Sequence, residues 1–291
     1  VLAEHPLPPG LRAYNLARLG NGLCLTTHMG EKRLLFMDAA GRFEVGPACE
    51  APLASMVAVV REGRGIVLGA IGGSRLLHFS ASGEPLGGVD LDPERAGLGV
   101  WRMCDVGDQV LVVCKGGAGR QELVLADAAL GRTARIDCAG LLSGVTNRVR
   151  HHGGRLYFLQ NNGPHVLVAR LDSARARLEL EDVRALHGCS PRGFDVSEEG
   201  IVLAWNDRIM RLDVAFAPTF SAQAHGFESM DVLHAHAGPD TFWLRNQDYS
   251  ALLLARLRPA GVIYPRGNDH GRKSAVPGLQ QEELRAGGVP L

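Results

Sequence analysis

Residues 56–91, MVAVVREGRGIVLGAIGGSRLLHFSASGEPLGGVDL, set out short apolar runs separated by Gly- and Ser-bearing turns. Runs of four to seven residues bounded by turn signals predict strands rather than helices, which need ten or more residues at period 3.6. This segment predicts four strands, and copies of it follow along the chain. The clearest register mark is the end of each third strand: LLFMD at Asp38, LLHFS at Ser80, LVLAD at Asp127, VARLD at Asp172, IMRLD at Asp213 and LARLR at Arg258. The marks recur about every 41 to 47 residues. In the first five, a short Asp or Ser side chain is placed to cap the following turn, with Gly taking the positive-φ position; the sixth ends at Arg258 without the Asp.

A four-stranded repeat of that period implies an all-β chain, a six-bladed β-propeller of four-stranded antiparallel blades. The blades span 14–45, 56–91, 100–137, 146–181, 192–221 and 230–265, within a propeller of residues 1–267. Runs such as QVLVVC and RLYFLQ are apolar on both faces, as the middle of a blade packed between two neighbours requires. The Pro-rich residues 1–13 are placed to add an outer strand that closes the ring. Residues 268–291 read as a polar tail, with a short helical pattern at Gln280–Ala286. Seven blades, with both termini in a split extra blade, is the competing count.

Composition narrows the function classes. The 291 residues are 46% hydrophobic but only 5% aromatic, so Val, Leu and Ala fill the core. Lys and Arg number 31 and so do Asp and Glu, a balance that argues against a nucleic-acid partner. No apolar run is long enough to span a bilayer, and no membrane partner is expected. No charged-then-apolar signal segment opens the chain, although Val1 leaves processing and export open. Six cysteines without C-x-x-C spacing read as free thiols of a reducing cytoplasm. Gly116–Gly119 lacks the Lys-Ser/Thr of a phosphate loop, and no G-x-S-x-G elbow occurs.

Candidate chemistry lies where the inner strands begin. Those positions carry Tyr14, Asn15, Trp101, Arg102, Asn147, Arg148, Arg192 and Asp231. Loops between second and third strands add Asn161, Asn162, Asn206, Asp207, Asn246, Gln247 and Asp248 on the same face. Arginine presents a rigid fork of donors suited to carboxylate or phosphate. Arg102, Arg148 and Arg192 on successive blades would converge on the channel mouth as a site for an anionic group, with Trp101 or Trp205 as a stacking wall. The plainer reading pairs each Arg with a nearby Asp, such as Asp207 or Asp231, and seals the channel. His234 and His236 face one way on a strand and, with His225 or His187, form a weaker zinc candidate, with Cys138 and Cys189 in comparable loops. His151 and His152 read as a solvated turn.

The segment 190–205, S-P-R-G-F-D-V-S-E-E-G-I-V-L-A-W, and the segment 146–159, T-N-R-V-R-H-H-G-G-R-L-Y-F-L, carry a resemblance. They resemble blades of the six-bladed propellers that include the SMP-30/gluconolactonase and strictosidine-synthase-like families and the NHL repeats. The resemblance covers about two-thirds of the chain at blade level. It implies the fold and little of the function. The lactonases hold one calcium with Glu, Asn and Asp side chains. Asn147 matches an Asn ligand, but Arg192 stands in place of the ligand Asp. Trp101-Arg102-Met103 replaces an expected Asn-Asp-Gly turn. The resemblance therefore implies the fold without the calcium chemistry, and no cofactor is expected. Two function classes stay open. One is a propeller that binds a small anionic ligand or a protein partner. The other is a calcium-independent lyase, hydrolase or isomerase acting on a small anionic substrate at the same mouth.

Overall fold

The computed structural model describes residues 2–19, 22–27, 33–48, 56–61, 65–91, 97–117, 120–127, 131, 133–138, 141–142, 145–160, 165–186, 191–205, 208–224, 232–234, 241–245, 250–256 and 262–263. The described chain is built of strands in six antiparallel sheets, a six-bladed β-propeller. After β1 (Ala3–Pro6), blade 1 runs β2 (Ala13–Leu19), β3 (Gly22–Thr27), β4 (Arg33–Met37) and β5 (Phe43–Ala48). Blade 2 is β6 (Met56–Arg61), β7 (Gly65–Ala70), β8 (Arg75–Phe79) and β9 (Pro85–Asp90). Blade 3 is β10 (Gly99–Asp105), β11 (Gln109–Lys115), β12 (Gln121–Asp127) and β13 (Thr133–Ile136). Blade 4 is β14 (Thr146–His152), β15 (Arg155–Gln160), β16 (His165–Asp172) and β17 (Arg177–Ala185). Blade 5 is β18 (Gly193–Ser197), β19 (Gly200–Trp205), β20 (Arg208–Leu212) and β21 (Pro218–Ala224). Blade 6 holds β22 (Val232–His234), β23 (Thr241–Arg245) and β24 (Ala251–Arg256).

The missing fourth strand of blade 6 is β1, paired antiparallel with β24 from Ala3↔Leu254 to Pro6↔Ala251. The N-terminal segment thus joins the last blade, as its place in the sequence suggested, and the sheets number six rather than seven. One strand departs from the expected order. β25 (Val262–Ile263) does not complete blade 6, whose edge β1 has taken; it runs parallel beside β21 and gives blade 5 a fifth strand. The segment 268–291 lies outside the described residues.

The core is divided among the seams between blades. One apolar cluster fills each seam, from Cys24, Leu34, Ala58 and Ile66 between blades 1 and 2 to Val202, Val232 and Phe242 between blades 5 and 6. The closing seam packs Leu16 and Leu25 against Leu233, Trp243 and Leu252. Middle strands touch a neighbour on both faces, so β11 and β15 are buried almost end to end. The outer strand β9 is mostly exposed. Burial of each enclosed phenylalanine, Phe158, Phe194 and Phe242, contributes about 1.5–3 kcal/mol.

The repeated Asp or Ser does what its position predicts. Asp38 Oδ1 accepts the amides of Ala40 and Arg42, and Ser80 Oγ accepts that of Glu84. Asp127, Asp172 and Asp213 cap Gly131, Arg175 and Ala217 in the same way. Gly41 and Gly83 take the positive φ in blades 1 and 2, but blade 5 puts Phe216 there, at φ 66°. Phe216 also packs on the core cluster of blades 4 and 5, and that packing compensates its backbone strain.

Candidate functional site

Three inner strands open with the same irregularity. A β-bulge lies between Ala13 and Asn15, between Val100 and Arg102, and between Thr146 and Arg148. A bulge adds one unpaired residue and re-aims its neighbours, and such devices favour sheet rims. The extra residues are Tyr14, Trp101 and Asn147. The residues that follow them, Asn15, Arg102 and Arg148, occupy one equivalent position on blades 1, 3 and 4.

Pairing with β19 puts Gly193, not Arg192, at that position on blade 5. Arg192 stands one step earlier, its backbone amide bonded to Ala204 O and its side chain exposed. Asp231 and Asp207 lie outside the described residues, as do Asn161, Asn162, Asn206, Asn246, Gln247, Asp248, His187, His225, His236 and Cys189. The side chain of His234 is likewise not described. Trp205 is buried in the seam between blades 4 and 5, at 8% exposure. His151 and His152 are the last residues of β14, one step before the turn at Gly153 and Gly154.

Arg102 is buried at 8% exposure. Its Nε donates to Asn147 O at 2.5 Å and its Nη1 to Trp101 O at 2.7 Å. It therefore clips blade 3 to blade 4. Its guanidinium also lies 4.2 Å from the centre of the Trp101 ring, and Lys115 Nζ lies 4.6 Å from it. The Trp101 indole donates from Nε1 to Thr146 O at 2.5 Å, a second tie across the same seam. Arg148 Nη1 donates to Asn147 O at 3.0 Å, and Asn147 Nδ2 donates to Pro191 O of the next blade at 3.4 Å. Asn15 Oδ1 accepts the amide of Ala58 on blade 2. Each of these side chains holds one blade to itself or to the next.

A charged cluster that the sequence reading did not single out lies two to three residues further along the inner strands. Asp195, 3% exposed, accepts from Arg18 Nη2 at 2.7 Å and from Arg150 Nε at 2.9 Å. Arg150 belongs to the adjacent blade 4. Arg18 belongs to blade 1, which is separated from blade 5 by blade 6. A contact between those innermost strands runs across the centre of the ring. The sequence signal was a lone carboxylate inside the apolar strand GFDVS; its partners come one from the adjacent repeat and one from a distant repeat.

The thiol of Cys104, beside this cluster, is pushed up to about 12 by burial, and Cys114 is likewise pushed up to about 12. Neither is a nucleophile at neutral pH. The described residues hold no group of three or more His, Cys, Asp and Glu side chains suited to a metal. Calcium needs several hard oxygen ligands. At the equivalent inner-strand position the described residues are Asn15, Val57, Arg102, Arg148 and Gly193, none of them anionic. They do not fit that ion.

No protein-family model matches this chain, and no curated protein matches it in sequence. Solved structures do. A gluconolactonase from Xanthomonas campestris is 13% identical with a TM-score of 0.63, covering 84% of this chain and 86% of the other. A calcium-binding protein, regucalcin, from Agrobacterium tumefaciens is 14% identical with a TM-score of 0.59, covering 89% and 95%. Virginiamycin B lyase from Staphylococcus aureus is 11% identical with a TM-score of 0.56, covering 88% and 89%. Likeness at this identity speaks for the fold. The chain is a six-bladed propeller with lactonase, regucalcin and lyase structures among those it resembles in fold.

Proposed function

We propose that this propeller binds a small anionic ligand at the channel mouth where the inner strands begin. The carrying observation is the charge gathered on those strands. Arg102 and Arg148 follow equivalent bulges on adjacent blades, and two to three residues deeper Arg150 and Arg18 meet at the carboxylate of Asp195. Guanidinium groups gathered on neighbouring inner strands present forks of donors suited to a carboxylate or phosphate. Walls of low dielectric then focus the positive potential on the opening. Arg192, exposed at the start of blade 5, lies on the same side.

The reading is tested by thermal melting and titration calorimetry with a panel of mono- and dicarboxylates and inorganic phosphate. At least one anion should raise the melting temperature. Arg148→Ala should weaken its binding by about 10-fold or more, the loss of one charge-assisted hydrogen bond. Arg192→Asp, which brings an anion to the rim, should weaken it as well. If no anion binds, or if both variants bind as the wild type does, the arginines are structural and the reading fails.

A further inference from the structure

Beside Trp101 the seam between blades 3 and 4 encloses polar groups that the packing does not explain. Gln160 is 1% exposed, and neither its Oε1 nor its Nε2 finds a hydrogen-bond partner among the described residues. Thr146, 0% exposed, has an Oγ1 in the same condition. The two residues are directly opposite in the β14–β15 register, so their side chains share one face of the blade. Alternation along β15 puts Gln160 on the face of Leu156 and Phe158, which pack on blade 3. Thr146 is held there by its backbone: its amide donates to Gln121 Oε1 at 2.9 Å and its carbonyl accepts the Trp101 indole. That indole carries Arg102 and Lys115 against its ring.

Buried polar groups are almost always hydrogen-bonded, and adjacent exceptions ask for a cause. A primary amide and a hydroxyl side by side offer donors and acceptors together. That combination suits a hydroxyl or carboxamide, which also donates and accepts. It does not suit phosphate, which asks for donors alone, or a metal, which asks for charge. The two cations at Trp101 stand next to it.

We propose that Thr146 and Gln160 form a subsite for the neutral polar group of a hydroxy- or amide-bearing carboxylate, whose anionic end lies toward Lys115 and the arginines. This rests on the anion-binding reading and specifies its ligand class.

The test uses matched acids that differ by one hydroxyl: L-malate against succinate, and L-lactate against propionate. Affinities are read by saturation-transfer NMR titration of the whole chain. The wild type should prefer the hydroxy acid by about 10-fold, as one hydrogen bond predicts. The double variant Thr146→Val, Gln160→Leu should bring that ratio near one while leaving the affinity for succinate within about twofold. Its apolar replacements suit the seam, so a melting temperature at or above the wild-type value is expected. Should the double variant fail to fold, Thr146→Val alone must lower the ratio. Equal binding of hydroxy and deoxy acids by the wild type overturns the subsite and leaves the anion reading standing. So does a preference that survives in the folded variant, which assigns the pair to bridging a structural water. Binding of none of the acids overturns both.

Discussion

Removing the carboxylate of Asp195 should unfold the ring from its centre. In Asp195→Ala the guanidinium groups of Arg18 and Arg150 lose their shared acceptor while remaining inside the channel. The two bonds measure 2.7 and 2.9 Å, and charge-assisted bonds contribute about 1.5–3 kcal/mol each. Breaking a buried pair from one side costs about 3–5 kcal/mol, since the other charge is stranded. The side chains of Arg18 and Arg150 are 33% and 21% exposed, and that of Asp195 is 4% exposed. Partial solvation of the arginines selects the lower end, about 3 kcal/mol. At about 2 °C per kcal/mol for a chain of this size, the melting temperature should fall by roughly 6 °C. Calorimetry in low and high salt is the assay. The loss should change little with salt, because buried pairs are weakly screened. A triple variant, Asp195→Leu with Arg18→Met and Arg150→Met, should recover most of it, since an apolar replacement strands no charge. A fall below 2 °C in Asp195→Ala, or a triple variant no better than the single one, would refute the assignment of this cluster as the lock across the ring.

Two further outcomes follow from the backbone and the thiols. Gly200 has φ 119°, and an added Cβ would stand 2.3 Å from Leu212 O, so Gly200→Ala should cost at least about 3 kcal/mol in urea unfolding. Gly107→Ala, at φ 83° with open space around it, should cost only about 1 kcal/mol; similar losses at both sites would contradict the steric account. Iodoacetamide at pH 8 should label the half-buried Cys138 in the folded protein and spare Cys104 and Cys114, whose thiols are pushed up to about 12. Peptide mapping that finds Cys104 labelled without unfolding would show that the ring opens at its centre.

The propeller was legible in the sequence because its cause is local and repeated. Apolar runs of strand length, a short capping side chain and a turn recur, and each copy carries its own hydrogen-bond instructions. The cap at Asp213 could be read; the residue at positive φ beside it could not, because seam packing rather than turn preference holds Phe216 there. Local pattern also placed Trp101, Arg102, Asn147 and Arg148 at the start of inner strands. It did not show that the Arg102 fork is given to backbone carbonyls of its own and the next blade.

By itself, then, the sequence determined the strand content, the fourfold unit, the six copies and the N-terminal closure, all of which depend on neighbours in the chain or on one repeated seam. Only the tertiary structure decided which charges meet. Arg18 and Asp195 are 177 residues apart and share no motif. They touch because closing six blades into a ring brings every innermost strand to one axis. There an unpaired carboxylate in low dielectric must be neutralised by whatever cation the geometry delivers. The bulges that shift Arg102 and Arg148 are likewise properties of strand pairing. One residue of register exchanges the face on which a side chain emerges, and the choice between Arg192 and Gly193 at that position turns on it.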